Sequence, residues 1–318
     1  MQSFALVFPG QGSQYVGMSK ELCTEFRVAR DVFTEASDTL GFDLASLCFE
    51  GPRERLDQTI FTQTAVLTAD IAALRVFEAE IGLRPRIMAG HSLGEYGALV
   101  AAGAVDFSRA LTLVEARARL QQDAVPLGKG GMAAILDMDP VALEEICAGV
   151  RNSMGPEGAV YLAINNGPTQ ISVAGLCPAL DETIVRVKQA GGRGIKIPVS
   201  VPFHCELMAG AAEQFAEVLG DMEFCEFGIP VVPNCDPGSL YTPEKVRHLL
   251  VTQIRSLVRW HESVNRLSAA GVGMVVEAGP RKVLSGLIKR IDKNLVIANI
   301  EDLESLKKTL KVLNESAG

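Results

Sequence analysis

The sequence contains no fully apolar run longer than about residues 97–105, far short of the ~20 residues that a membrane helix needs, so no membrane contact is expected. No basic segment precedes the apolar start MQSFALVF, which argues against a secretory signal. Basic residues are in the minority, 30 against 38 acidic for a net charge of −8, and that balance excludes a general nucleic-acid binder. The seven cysteines are scattered and include no CxxC pair. They supply neither a disulfide scaffold nor a metal site of the zinc type, and they fit reduced thiols in a cytoplasmic compartment. Internal repeats and low-complexity segments are also missing. What remains is ordinary: 318 residues, 48% hydrophobic and 21% charged, enough to bury a substantial core in about two domains.

Apolar β-type runs alternate with helical patterns, which predicts an α/β fold with a mainly parallel sheet. A first strand is expected at 4–8, stopped by Pro9-Gly10. A helix follows at 63–81, with Leu67, Ile71 and Leu74 on one face, and a short strand at 86–89 enters a glycine-flanked turn. Helices are expected at 93–102 and 108–125, the second capped by Ser108 and stopped by Pro126. Beyond residue 128 the rhythm changes to strand 132–136, helix 140–150, strands 161–164 and 170–174, helix 180–189 and strand 195–197. This βαββαβ order over about 70 residues is the ferredoxin-like pattern. It predicts a small subdomain at 129–198 inserted into a large one built from 1–128 and 199–318. After it come a helix from Glu206, a helix from Pro243 capped by Thr242, a strand at 273–277 and a helix from Arg281.

Ala89-Gly90-His91-Ser92-Leu93-Gly94-Glu95-Tyr96 contains G-x-S-x-G at a strand-to-helix junction. A tight structural turn would use the same residues, but a nucleophile elbow needs this context: glycines permit the sharp turn and hold the serine hydroxyl above the sheet. The helix beginning near Leu93 adds free backbone N–H groups and a positive dipole end, both suited to an oxyanion. A second glycine loop, Phe8-Pro9-Gly10-Gln11-Gly12-Ser13, follows the first strand and can aim the Gln11 N–H at the same place. It lacks the Lys-Ser/Thr ending of a phosphate-binding loop.

Four histidines are candidates for a base. His248 and His261 sit in charged, helix-like segments, and His91 belongs to the turn itself. His204 follows a strand-like stretch, where open α/β sheets place their sites; a core histidine is the alternative. Gln253 interrupts the apolar stripe Val246, Leu249, Leu250, Ile254 and Leu257, so its amide needs buried partners. Arg117 has the apolar helix neighbours Leu113, Val114 and Leu120, whereas Arg119 is flanked by Glu115 and Asp123 in a solvated pattern. An arginine on a buried face demands an anion. A planar guanidinium suits a carboxylate, and from the residues alone that carboxylate is either a buried Glu or a ligand.

FPGQGSQ, GHSLGEY, Gly131-Met132-Ala133-Ala134-Ile135, Pro202-Phe203-His204, TQTAVLTAD, NGPTQISVAG, RWHESV and EAGPRKVL run in order from about residue 4 to 290. Together they resemble the malonyl-CoA:acyl carrier protein transacylase family, which includes the acyltransferase domains of fatty acid and polyketide synthases. The resemblance implies an α/β-hydrolase-like large subdomain with the ferredoxin-like one inserted. It implies Ser92 as nucleophile, His204 as base and the Gln253 backbone carbonyl as its orienting partner, with Gln11 and Leu93 N–H groups as the oxyanion hole. By the same resemblance Arg117 grips the malonyl carboxylate, Asn166 lies near the site, and Phe203 matches malonyl-preferring relatives. The implied reaction is ping-pong transfer from malonyl-CoA to acyl carrier protein, with no cofactor and no metal. A polyketide-pathway acyltransferase, a thioesterase or hydrolase, and a carrier-docking module are the alternatives. Two positions depart from the family pattern: Leu257 stands where Pro is usual, and Ile164 where a second Asn is usual.

Overall fold

A computed structural model describes residues 3–315. One sheet is parallel and built from β1 (Phe4–Phe8), β2 (Ile87–Gly90), β7 (Val231–Val232), β8 (Met274–Ala278) and β9 (Val296–Ile300), in the order β7-β2-β1-β8-β9. All five residues of β1 are buried, as expected of a central parallel strand covered by helices on both faces. The register aligns Phe8 with Gly90, so the loops after β1 and β2 leave the sheet side by side at its carboxyl edge.

The helix Thr59–Ile81 is buried nearly all round, including Thr62, Gln63, Thr68 and Asp70. Leu67, Ile71 and Leu74 are buried as expected, and the other side is buried as well: such a helix is a core element with no solvent side to mark its period. It is long and apolar enough to cross a membrane, yet 83% of that stretch is buried inside the fold. The helix expected at 108–125 runs Phe107–Asp123 with Asp106, not Ser108, at its N-cap position. The expected helix from Glu206 opens as a 3₁₀ turn, Glu206–Met208, before the helix Ala209–Leu219. The strand-like stretch before His204 ends at Ile197, and residues 198–205 carry no regular element.

The second sheet is antiparallel. It comprises β3 (Gly130–Leu136), β4 (Val160–Gly167), β5 (Gln170–Leu176) and β6 (Arg193–Ile197), in the order β4-β5-β3-β6. Helices Pro140–Met154 and Cys177–Gln189 supply the two crossovers, which completes the ferredoxin-like arrangement. Asp139 caps the first of them by accepting from Val141 and Ala142 N–H groups, with Pro140 at the position where no N–H is needed. Alternation along β3 sends Ala133 and Ile135 toward these helices and Met132 into the main core. β4 is tied to the other body by Asn165 N–H to Val258 O at 2.8 Å and Val258 N–H to Ala163 O at 2.9 Å. One face of the small sheet thereby roofs the carboxyl edge of the large one.

Candidate active site

β2 delivers the chain into a turn at His91-Ser92 and out into the helix Gly94–Ala102. Ser92 has φ +53°, a left-handed conformation that a non-glycine residue holds only where the surroundings over-determine it. The flanking glycines are required by close approach: a Cβ at Gly90 would stand 1.9 Å from the Gly94 carbonyl carbon, and one at Gly94 would stand 2.1 Å from Phe8 O. Asn234, just after β7, holds the turn, accepting the Ser92 N–H at 2.6 Å and donating Nδ2–H to Gly90 O at 2.8 Å.

His204 Nε2 lies 2.6 Å from Ser92 Oγ, and its Nδ1 lies 2.9 Å from the Gln253 carbonyl oxygen. A carbonyl accepts only, so Nδ1 carries the hydrogen and Nε2 is the acceptor facing the serine O–H. His204 is also left-handed, at φ +59°. Burial, reinforced by the Arg117 cation, pushes its pKa down to about 3, so the imidazole is neutral and ready to take a proton. The replacement of the family's proline by Leu257 leaves the Gln253 carbonyl in bonding position.

Arg117 is 1% exposed. Nη1 donates to Gln63 Oε1 at 2.5 Å; Nη2 donates to Gln253 Oε1 at 2.9 Å and to Ser92 Oγ at 3.1 Å. Every one of these acceptors is neutral. Among the described residues no carboxylate forms an ion pair with it, so the buried-Glu alternative is not realised as a direct contact. Arg119, by contrast, pairs with Glu115 at 3.2 Å in solvent.

Ser92, His204 and Arg117 face a cavity of about 100 Å³ whose apolar wall includes Met132, Ile164, Ile197 and Phe203. Gln11 and Leu93 line it too, and no protein acceptor among the described residues takes either backbone N–H. A larger hollow of about 800 Å³ opens at the other end of the sheet, beside Arg84 and Ser108, but it contains no nucleophile–base pair.

Residues 5–309 match the acyl transferase domain family. The chain belongs to that family. The malonyl CoA-acyl carrier protein transacylase of Haemophilus influenzae is 44% identical over 96% of this chain and 97% of its own. The solved structure of the malonyl CoA-acyl carrier protein transacylase of Coxiella burnetii superposes with a TM-score of 0.93 at 41% identity, covering 98% and 97% of the two chains. A malonyl-transacylase solved in complex with its type II PKS acyl-carrier protein has a TM-score of 0.93 at 44% identity, with 97% and 99% covered.

Within this acyl transferase one sequence expectation changes in kind. Asn166 does not line the cavity; its Oδ1 lies 2.9 Å from His91 Nε2. Register shifts in β4 between Leu162 and Ile164 and between Asn165 and Gly167 re-aim the strand there. His91, read from sequence as part of the turn, is itself a cavity residue, its ring edge-on to Trp260 at 5.3 Å between centroids. Three further residues were not singled out from sequence. Gln63 and Glu95 lie inside the recognisable strings TQTAVLTAD and GHSLGEY, and membership of those strings was the only available signal; Asn234 sits in a loop with no pattern at all.

Proposed function

We propose that this acyl transferase moves malonyl from malonyl-CoA to the phosphopantetheine thiol of acyl carrier protein, through an ester on Ser92, supplying extender units for fatty acid synthesis. The observation that carries the reading is a serine–imidazole pair at 2.6 Å beside a buried guanidinium that has only neutral partners. A buried cation with no direct ion partner invites a carboxylate, and malonyl carries one at the right end of its acyl group. A simple esterase has no use for such a cation.

In the first half-reaction His204 Nε2 takes the Ser92 proton as Oγ attacks the thioester carbonyl carbon. The carbonyl oxygen becomes an oxyanion on the Gln11 N–H, from the loop after β1, and the Leu93 N–H at the start of the elbow helix. Collapse breaks the C–S bond, and the His204 proton passes to the leaving CoA sulfur. In the second half-reaction the carrier thiol gives its proton to His204 and attacks the seryl ester. The proton then returns to Ser92 Oγ as the new thioester leaves. Each step exchanges an acyl group between oxygen and sulfur with no redox change, so the chemistry calls for no resident cofactor. The seven free thiols support a reducing, cytoplasmic setting. The likeness to a transacylase bound to a PKS carrier supports a second reading, service of a polyketide carrier by the same chemistry. Intact mass measurement with malonyl-CoA and no carrier should add one malonyl group to the wild type and none to Ser92→Ala. An adduct that persists in the variant overturns the assignment of the nucleophile.

A further inference from the structure

We infer that Glu95 is the positioning residue of this site, a buried acid that sets nucleophile, base and guanidinium in register without touching substrate. It lies on the first turn of the elbow helix, three residues after Ser92, fully buried and outside the cavity lining. Its two oxygens face two different parts of the machinery. Oε1 accepts the Asn234 backbone N–H at 2.5 Å, and Asn234 in turn clasps both sides of the turn, at the Ser92 N–H and Gly90 O. Oε2 accepts from Gln253 Nε2, which also donates to Ser92 O at 2.9 Å. Gln253 then offers its side-chain oxygen to Arg117 and its backbone oxygen to His204. Elbow, base and guanidinium are therefore each one residue away from a single carboxyl.

Both named donors are N–H groups, so both Glu95 oxygens must accept, which is the bonding pattern of an ionised carboxylate. A glutamine in its place would turn an N–H toward one of two N–H donors. Charge points the same way, because Arg117 lacks a direct ion partner and Glu95 offsets it through Gln253. Burial pushes the Glu95 carboxyl up to about 8, against the hydrogen bonds from Asn234 and Gln253 and, more weakly, the Arg117 cation, which pull it down, so the ionised pattern is complete above that pH. The other titratable groups around it, Tyr96, Tyr241 and Cys235, are raised by burial and stay neutral in that range.

The inference rests on the proposed function only for part of its assay. Wild type, Glu95→Gln and Glu95→Asp would be labelled with a neutral fluorophosphonate and, separately, with malonyl-CoA between about pH 6 and 9, alongside thermal melts. The fluorophosphonate reads the elbow and base alone. Wild-type labelling is expected to rise through one transition. Glu95→Gln should label about 100-fold more slowly, the scale of a misplaced catalytic group, and show no transition. Glu95→Asp, which keeps the charge, should recover part of the rate and shift the transition. A folded Glu95→Gln protein that labels at the wild-type rate overturns the inference, as does wild-type labelling that is flat with pH. Should Glu95→Gln fail to fold, Glu95→Asp decides: an unmoved transition overturns the assignment and a shifted one supports it. Fluorophosphonate labelling without malonyl acylation would count against the substrate reading and leave Glu95 standing.

Discussion

Replacing Arg117 by alanine separates substrate recognition from structural support. The guanidinium is buried and makes three hydrogen bonds, to Gln63, Gln253 and Ser92. If it also receives the malonyl carboxylate, its removal breaks a buried charge pair, costing about 2–5 kcal/mol of binding to the charged acyl group. That is a loss of roughly 30- to several-thousand-fold in kcat/KM for malonyl-CoA. Acetyl-CoA has no carboxylate, and its acyl group leaves the cation without a direct ion partner. Because Arg117 also lowers the His204 pKa, removing it makes the imidazole a stronger base, so acetyl transfer should be spared or improved. The variant strands the side-chain oxygens of Gln63 and Gln253, at about 1–3 kcal/mol each; a thermal melt reads that cost apart from the kinetics. Arg119→Ala is the control, since its solvated pair with Glu115 at 3.2 Å contributes under about 1 kcal/mol. The assay is the malonyl-to-acetyl ratio of kcat/KM in both variants. Equal loss on both substrates in Arg117→Ala, with the ratio intact, would make the arginine structural and refute the carboxylate argument.

Two further outcomes test the scaffold. Gly90→Ala places a Cβ 1.9 Å from the Gly94 carbonyl carbon, so the elbow must open; the variant should melt lower and lose fluorophosphonate labelling of Ser92, and a folded, fully reactive protein would contradict the close-approach argument. Glu277 holds the start of the helix Val283–Ile291 by accepting from Leu284 N–H at 2.9 Å and Ser285 N–H at 2.7 Å, and burial raises its pKa from 4.5 to about 7. A raised folded-state pKa adds stability that is full below pH 4.5 and fades as pH rises through about 7. Urea denaturation across that window should therefore show a flatter pH dependence in Glu277→Gln than in wild type, and parallel curves would contradict the linkage.

The elbow was legible in the sequence because its information is local: a strand, two glycines in contact distance and a helix start all lie within one short string. Arg117 was legible as buried for a similar reason, since helical period alone assigns its face. The ferredoxin-like order followed from alternating periods, and the antiparallel sheet bears it out. Tertiary structure decided everything that depends on what meets what. His204 and Ser92 lie 112 residues apart, and their contact exists only because loops leaving different parts of the fold converge at one sheet edge. Whether Arg117 has a carboxylate partner within the chain was undecidable from its own helix, because that depends on the neutral oxygens of Gln63 and Gln253 that meet it in the fold. The bulges in β4 turned Asn166 toward His91, a side-chain direction that no residue pattern in that strand encodes. Glu95 escaped notice because an acid in the first turn of a helix is usually a solvated charge. Only the packing of Asn234 and Gln253 around it reveals a carboxylate removed from water, and removal from water is a property of the folded chain.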